Sequence, residues 1–378
     1  MTNSTLQIQL QNQTSSSTVY AYITGTALNN NNALFLLQAD GKTPYYPPNP
    51  SKTGTPINAN TSISLGGPGS SVSATIPQLA GARIWFSVGA KLVFYVNPGP
   101  GLVEPSIFNP SDANHNTSFG FMELTFNSSQ LFANISYVDF VCLPIAMTLK
   151  DSSGTIQHVS GMPSNGLQTI ATGLTAQTQK DGYPWSSLVV KNGSGQLLRI
   201  LSPNSGILLN PSWFQNYWTN YVNQVYSQYT SQKLTVNTQA SFGNVAGQVS
   251  NNSLSFGPGG SFRKPSAADI FSNSSGPFAT GGNAETNTLI PRLAAGFNRS
   301  IMLSSNTVPN GATPSQYYQN ATTNHYARIV HVTNLDGGGY AFPYDDVTPD
   351  GGVPQEGAVF SSTPALLTVV CGGANAYK

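Results

Sequence analysis

The stretch 119–143, FGFMELTFNSSQLFANISYVDFVCL, places two lone carboxylates, Glu123 and Asp139, inside apolar, strand-like runs. Met122, Leu124 and Phe126 alternate with Glu123, Thr125 and Asn127, the pattern of a half-buried strand. Small polar residues at 127–130 then lead into 133–143, rich in Ile, Tyr, Val and Phe, which reads as a hairpin. If the hairpin turns near Leu131, Glu123 and Asp139 are equidistant from the turn. They then lie on neighbouring strands at one height, about 5–8 Å apart. Two carboxylates facing one cleft are a means of giving and taking protons. Asn134 and Ser136 have the opposite parity to Asp139, so a bulge or strand end is expected near Tyr137. The competing reading is structural, with both acids bonded to backbone amides or to arginine. Only 14 of 378 residues are acidic, so two carboxylates within apolar strands need a specific reason.

The elements around this stretch are mostly short strands. Residues 6–25 read as two strands about a polar turn. Others are expected at Val72–Ile76, Ala82–Val88, Lys91–Val96, Ala146–Leu149 and Gln157–Val159, separated by Gly/Pro turns, as in an all-β sandwich or barrel. Beyond residue 160 the texture changes. Asn210-Pro211-Ser212 opens a helix whose apolar stripe runs from Trp213 to Tyr229 and reads as core rather than as a sugar platform. Ser266 and Asp269 form a capping-box-like helix start, and Glu285–Phe297 gives a third helix, kinked or begun near Pro291. A strand is expected at Leu234–Val236. The end returns to β texture at Ala327–Val332 and Ala365–Cys371. The expected class is therefore mainly β with an α/β insertion, a β domain from 1–160 and 326–378 and a mixed α/β domain at 161–325.

Charged residues make up 8% of the chain, against roughly 25% in an ordinary soluble domain. A formal net charge of +1 without a basic run argues against nucleic acid, anionic membranes and polyanionic substrates; a neutral polymer fits better. No apolar run reaches the length of a membrane span. Met1-Thr2-Asn3-Ser4 opens without a signal peptide and reads as a mature form with an added Met. Recurrent N-x-S/T sequons, Asn127 and Asn134 among them, favour a secreted protein. The four histidines are scattered, no HExxH, paired CxxC, GxSxG or GxxxxGK[ST] occurs, and neither a metal nor a cofactor is expected.

LFANISYVDFVCLP, following the FMELTFN strand, resembles glycoside hydrolase family 64, the laminaripentaose-producing β-1,3-glucanases. The same stretch is similar to the thaumatin-like superfamily at Glu123-Leu124-Thr125 and Val138-Asp139-Phe140. Tyr340-Ala341-Phe342-Pro343-Tyr344-Asp345-Asp346 resembles a segment near the end of that superfamily, and Arg83 sits where it places an arginine beside an acidic cleft. The resemblance implies a thaumatin-like β-barrel or sandwich domain and an α/β domain flanking a wide groove. It implies a general acid at Glu123 and a general base at Asp139 in an inverting endo-acting hydrolase of β-1,3-glucan, with a monomer expected. Thr125, Asn127, Phe132 and Ser136 would line sugar subsites, with Tyr344, Asp345 and Asp346 as further candidates. Cys371 resembles a terminal cysteine of thaumatin-like proteins, and its disulfide partner would have to be Cys142; two buried thiols are the alternative. The rival functions are a non-catalytic thaumatin-like β-glucan-binding protein and a cell-wall structural or adhesive protein.

Overall fold

The computed structural model describes residues 2–373; Met1, and with it the reading of an added methionine, lies outside them. Two sheets form the β part. A five-stranded sheet runs in the order Ile156–Val159, Ile145–Asp151, Pro364–Cys371, Thr5–Asn12 and Ser71–Pro77, with Thr5–Asn12 parallel to Pro364–Cys371. An eight-stranded sheet runs Ala358–Ser361, Leu131–Ile135, Ser118–Phe126, Leu79–Val88, Val19–Ala27, Ala33–Leu37 and Pro44–Tyr45, with Ile63–Ser64 beside Val19–Ala27. Alternation puts Ile8, Leu10, Met147, Leu149, Leu367 and Val369 of the first sheet into one core with Ile23, Ile84, Met122, Leu124, Ala133 and Val359 of the second.

The opposite face of the larger sheet is divided. At one end Tyr22, Trp85, Phe119 and Phe121 are roofed by Phe94 and Phe140, with ring centroids 5.3 Å apart for Phe119–Phe140 and 4.7 Å for Trp85–Phe121. At the other end the same face opens onto Arg83, Glu123 and Thr125. An aromatic roof over half a face is a strong apolar anchor, and it decides where the polar half lies.

Residues 161–335 carry most of the helix. Ala267–Ser272 begins with the expected capping box between Ser266 and Asp269, and Ala284–Asn298 contains Pro291. Three readings are corrected. The helix expected from Asn210 begins only at Thr219, because Phe214 takes a left-handed backbone (φ 61°) and packs its ring 4.7 Å from that of Trp185. Its aromatic stripe from Phe214 to Tyr229 is buried core, as read, with Trp213 half-buried against it. Ala327–Val332 is helix, not strand: Asn324 Oδ1 caps His325–Thr333 by accepting from Ala327 N–H, and Ile329 sits against Gly173 of Gly166–Asp181. Tertiary packing here overrides the strand preference of a β-branched run. Finally, Cys142 and Cys371 are free, buried thiols, not a disulfide. Cys142 Sγ donates to Leu198 O (3.1 Å), while Cys371 ends its strand between Ile145 and Asn12. Burial pushes both thiols up, which keeps them unreactive.

The segment 340–347 is tied down by a buried ion cluster, which corrects the reading of Asp345 as a sugar ligand. Asp345 is 0% exposed; Oδ1 accepts from Arg299 (3.1 Å) and Oδ2 from Ala341 N–H (3.0 Å), with His331 Nε2 2.9 Å away. Burial would push Asp345 up, but His331 and Arg299 hold it below the usual range. Burial likewise disfavours the His331 imidazolium, and Asp345 overrides it, so His331 is raised. The histidine part of this stability is complete below the ordinary histidine pKa and is lost as pH rises through the raised one. The aspartate part is complete above the ordinary aspartate pKa and is lost as pH falls through the lowered one. Replacement by Asn leaves Arg299 buried without a counter-charge. Asp345→Asn is therefore expected to lower the unfolding free energy near pH 6 by about 3–5 kcal/mol, measured by denaturant titration; a loss under about 1 kcal/mol would show that the cluster is not what holds the segment.

Candidate active site

Glu123 is presented by Ser118–Phe126 between two antiparallel neighbours. Directly opposite it stand Arg83 on Leu79–Val88 and Asn134 on Leu131–Ile135. The hairpin turns at 127–130, where Asn127 Oδ1 accepts from Ser129 N–H (2.9 Å) and Gln130 N–H (3.0 Å) and pairs Phe126 with Leu131. This corrects the register: with the turn closed earlier than Leu131, Asn134 takes the place expected for Asp139.

Asp139 reaches the site from the strand end. Leu131–Ile135 stops short of Tyr137, as the parity break requires, and the chain bridges Ser136 to Tyr340 before crossing to another sheet at Phe140–Val141, paired with Leu197–Leu201. Four contacts fix that crossing. Tyr137 N–H donates to Tyr340 O (2.8 Å), Tyr326 Oη donates to Tyr137 O (2.6 Å), Ser202 N–H donates to Asp139 O (2.9 Å), and the Phe140 ring sits 5.9 Å from that of Phe121.

Arg83 organises the charges. Its Nε and Nη2 donate to Glu123 Oε1 at 3.2 and 3.1 Å, its Nη1 donates to Glu104 Oε2, and its guanidinium lies 4.4 Å from the centre of the Phe121 ring. Both Arg83 contacts use Oε1 of Glu123, which leaves Oε2 for a proton or a sugar oxygen. Glu123 is 37% exposed at the side chain. Asp139 is the more enclosed acid: burial raises its pKa, Arg83 offsets part of the rise, and Glu123 adds to it. Glu104 is also raised by burial, against the pull of Arg83 and with the push of Glu123 and Asp139. Three carboxylates thus share one guanidinium, and loading all three with negative charge is unfavourable.

A hollow of about 480 Å³ is lined by Gly81, Ala82, Arg83, Glu104, Glu123, Leu124, Thr125, Phe132 and Asn134. The structure therefore brings Thr125 and Phe132 to Glu123. Asn127 is occupied in the turn, and Ser136 is buried at 9% exposure in the bridge to Tyr340. Tyr344 and Asp346 are not among the lining residues, although the bridge sets their segment beside the strand end. A larger cavity of about 640 Å³, with Lys180, His325 and Arg328 in its wall, contains no carboxylate; acid–base chemistry belongs with the carboxylates, not with the larger volume. Sequence reading missed Glu104 and Asn134. Glu104 stands alone in a Val-Glu-Pro loop, and only the rarity of acids could have marked it. Among the described residues no group of three or more His, Cys, Asp or Glu is arranged to hold a metal ion.

The family model described as β-1,3-glucanase, that of glycoside hydrolase family 64, matches residues 4–371. The chain belongs to glycoside hydrolase family 64. A glucan endo-1,3-β-glucosidase of Cellulosimicrobium cellulans is 28% identical over 284 residues, 73% of this chain and 50% of that protein; the match spans about half the length of this curated relative. Among solved structures, a laminaripentaose-producing β-1,3-glucanase in complex with laminaritetraose superposes with a TM-score of 0.85 at 28% identity, covering 97% of this chain and 98% of that one. The family 64 β-1,3-glucanase domain of Clostridium beijerinckii follows the same fold with a TM-score of 0.74 at 22% identity, covering 98% of both chains. These family 64 structures share the mainly β architecture with added helices found here.

Glu104 offers a test of the shared-arginine geometry. Glu104→Gln removes one negative charge from the cluster, so Asp139 should ionise at lower pH, which carboxyl-carbon NMR titration of both proteins would show. An Asp139 that titrates unchanged would mean that Glu104 is only scaffold.

Proposed function

We propose that the protein is an endo-acting, inverting hydrolase of β-1,3-glucans such as laminarin, curdlan and cell-wall glucan, releasing short oligosaccharides. The observation that carries this reading is the pairing of Glu123 and Asp139 around Arg83, with Glu104 as the third acid, beside an open cleft of a family 64 chain. Glu123, entering protonated, gives its proton to the departing glycosidic oxygen. Asp139, ionised, takes a proton from a water that attacks the anomeric carbon from the opposite face of the ring. An inverting pair leaves about 6.5–9.5 Å between carboxyl groups for that water. Asp139 is not the residue directly opposed to Glu123, which favours the longer separation over a cross-strand contact of about 5 Å.

In this reading Thr125, Phe132 and Asn134 hold sugar rings beside the acid. The β strands within 2–160 and 358–373 belong to a thaumatin-like barrel or sandwich domain, and the α/β part, 161–325, forms the other wall of the groove. The few charges suit an uncharged polymer, and the sequons suit a secreted enzyme.

Glu123→Gln and Asp139→Asn should each lower kcat on laminarin by at least about 10³-fold while leaving glucan binding within a few-fold. NMR of the first products should show the α-anomer at the new reducing end. Because burial raises Asp139, activity should fall with decreasing pH while still above the ordinary aspartate range. A β-anomer, or azide rescue of Asp139→Gly as a β-glycosyl azide, would make Asp139 a nucleophile. Binding of glucan by the unaltered protein with no oligosaccharide released would favour the non-catalytic reading.

A further inference from the structure

The face that carries Glu123 continues past the cleft to the edge of the sheet. Glu123, Asn134 and Ala358 are opposed across three strands, and two residues along, Thr125, Phe132 and Phe360 form the next row. Paired residues of antiparallel strands point to one face. Burial agrees: Leu124, Ala133 and Val359, the row between, are at most 3% exposed on the core side, whereas Phe360 is 61% exposed. Phe360 therefore stands beside Phe132, on the Glu123 side of the sheet.

The edge strand holds this ring in a defined place. Gln157, from the five-stranded sheet, accepts from Phe360 N–H at 3.0 Å and donates to Phe360 O. Those backbone groups thus face away from Leu131–Ile135, which makes Phe132 and Phe360 a non-hydrogen-bonded pair with Cα atoms about 4.5 Å apart and adjoining side chains. The same bonds occupy the positions by which another strand would add to the edge. What remains unexplained by folding is the exposed phenyl ring itself, continuous with the cleft wall at Phe132.

We propose that Phe360 extends Phe132 into a two-ring platform, a distal subsite on which a neutral β-linked glucan chain lays the C–H faces of its sugar rings. The proposal rests on the cleft being a glucan site. The row Thr125, Phe132 and Phe360 carries no charge, which matches a polymer recognised by apolar ring faces and hydroxyl groups. Two strand spacings and two residue rises put the Phe360 backbone about 12 Å from that of Glu123, so a long glucan reaches both, whereas a disaccharide seated at the acid does not.

The test compares the unaltered protein, Phe360→Ala and Phe360→Trp on laminarin, with laminaribiose as a competitive inhibitor too short to reach Phe360. Phe360→Ala should raise KM for laminarin by about five- to tenfold with kcat held, and Ki for laminaribiose by no more than about twofold. Phe360→Trp should keep laminarin KM at or below the original value. An unchanged laminarin KM in Phe360→Ala, or the same factor on laminarin KM and laminaribiose Ki, overturns the proposal. Binding of laminarin to Glu123→Gln and to Glu123→Gln/Phe360→Ala, followed by calorimetry, separates this inference from the proposed hydrolysis. Weaker binding by the double variant supports the platform whether or not the unaltered protein cleaves glucan, and equal binding rejects it even if cleavage is confirmed.

Discussion

One guanidinium at the open end of a β-sheet face must serve three carboxylates, and the site follows from that constraint. Arg83 donates to Glu123 with two nitrogens and to Glu104 with the third, and its charge also acts on Asp139. With all three acids ionised the cluster would carry two uncompensated negative charges, and together with burial this raises Asp139 and Glu104. Arg83 and both glutamates are about a third exposed, so each ion pair adds little stability by itself. The contribution of the cluster is orientation and protonation, not folding energy.

Folding energy comes from the apolar parts of the same face. Trp85, Phe119 and Phe121 bury against Phe94 and Phe140, and Phe140 is the residue after Asp139. The packing that closes one half of the face therefore also fixes the approach of the second carboxylate to the other half. Tyr326, from the helix His325–Thr333, adds a bond to Tyr137 O. That helix is linked through His331 to buried Asp345. A residue whose sequence context suggests sugar binding thus acts at a distance, by holding the elements on which Asp139 is mounted.

Much of this was legible in the residues. Alternation identified the Glu123 strand and its polar face, the parity of Asn134 and Ser136 against Asp139 located the strand end, and Ser266 with Asp269 marked a true capping box. The register was not legible, because it depends on Asn127 bonding the amides of Ser129 and Gln130 and so closing the turn early. Ala327–Val332 misled because Ile329 packs on Gly173 of Gly166–Asp181 and Val330 is buried, and this tertiary contact outweighs local preference. Glu104 and Phe360 are separated from Glu123 by 19 and 237 positions; only strand pairing and the fork of Arg83 bring them into one site.

The site depends most on the electrostatic coupling of Asp139 to Glu123 beside Arg83. Carboxyl-carbon NMR titration of the free protein, with Asp139 assigned by its Asn variant, tests this coupling without reference to substrate. Asp139 should titrate above the ordinary aspartate range and move down when Glu123→Gln removes the neighbouring charge. An Asp139 that titrates in the ordinary range, or that does not respond to Glu123→Gln, would contradict a shared acid–base site.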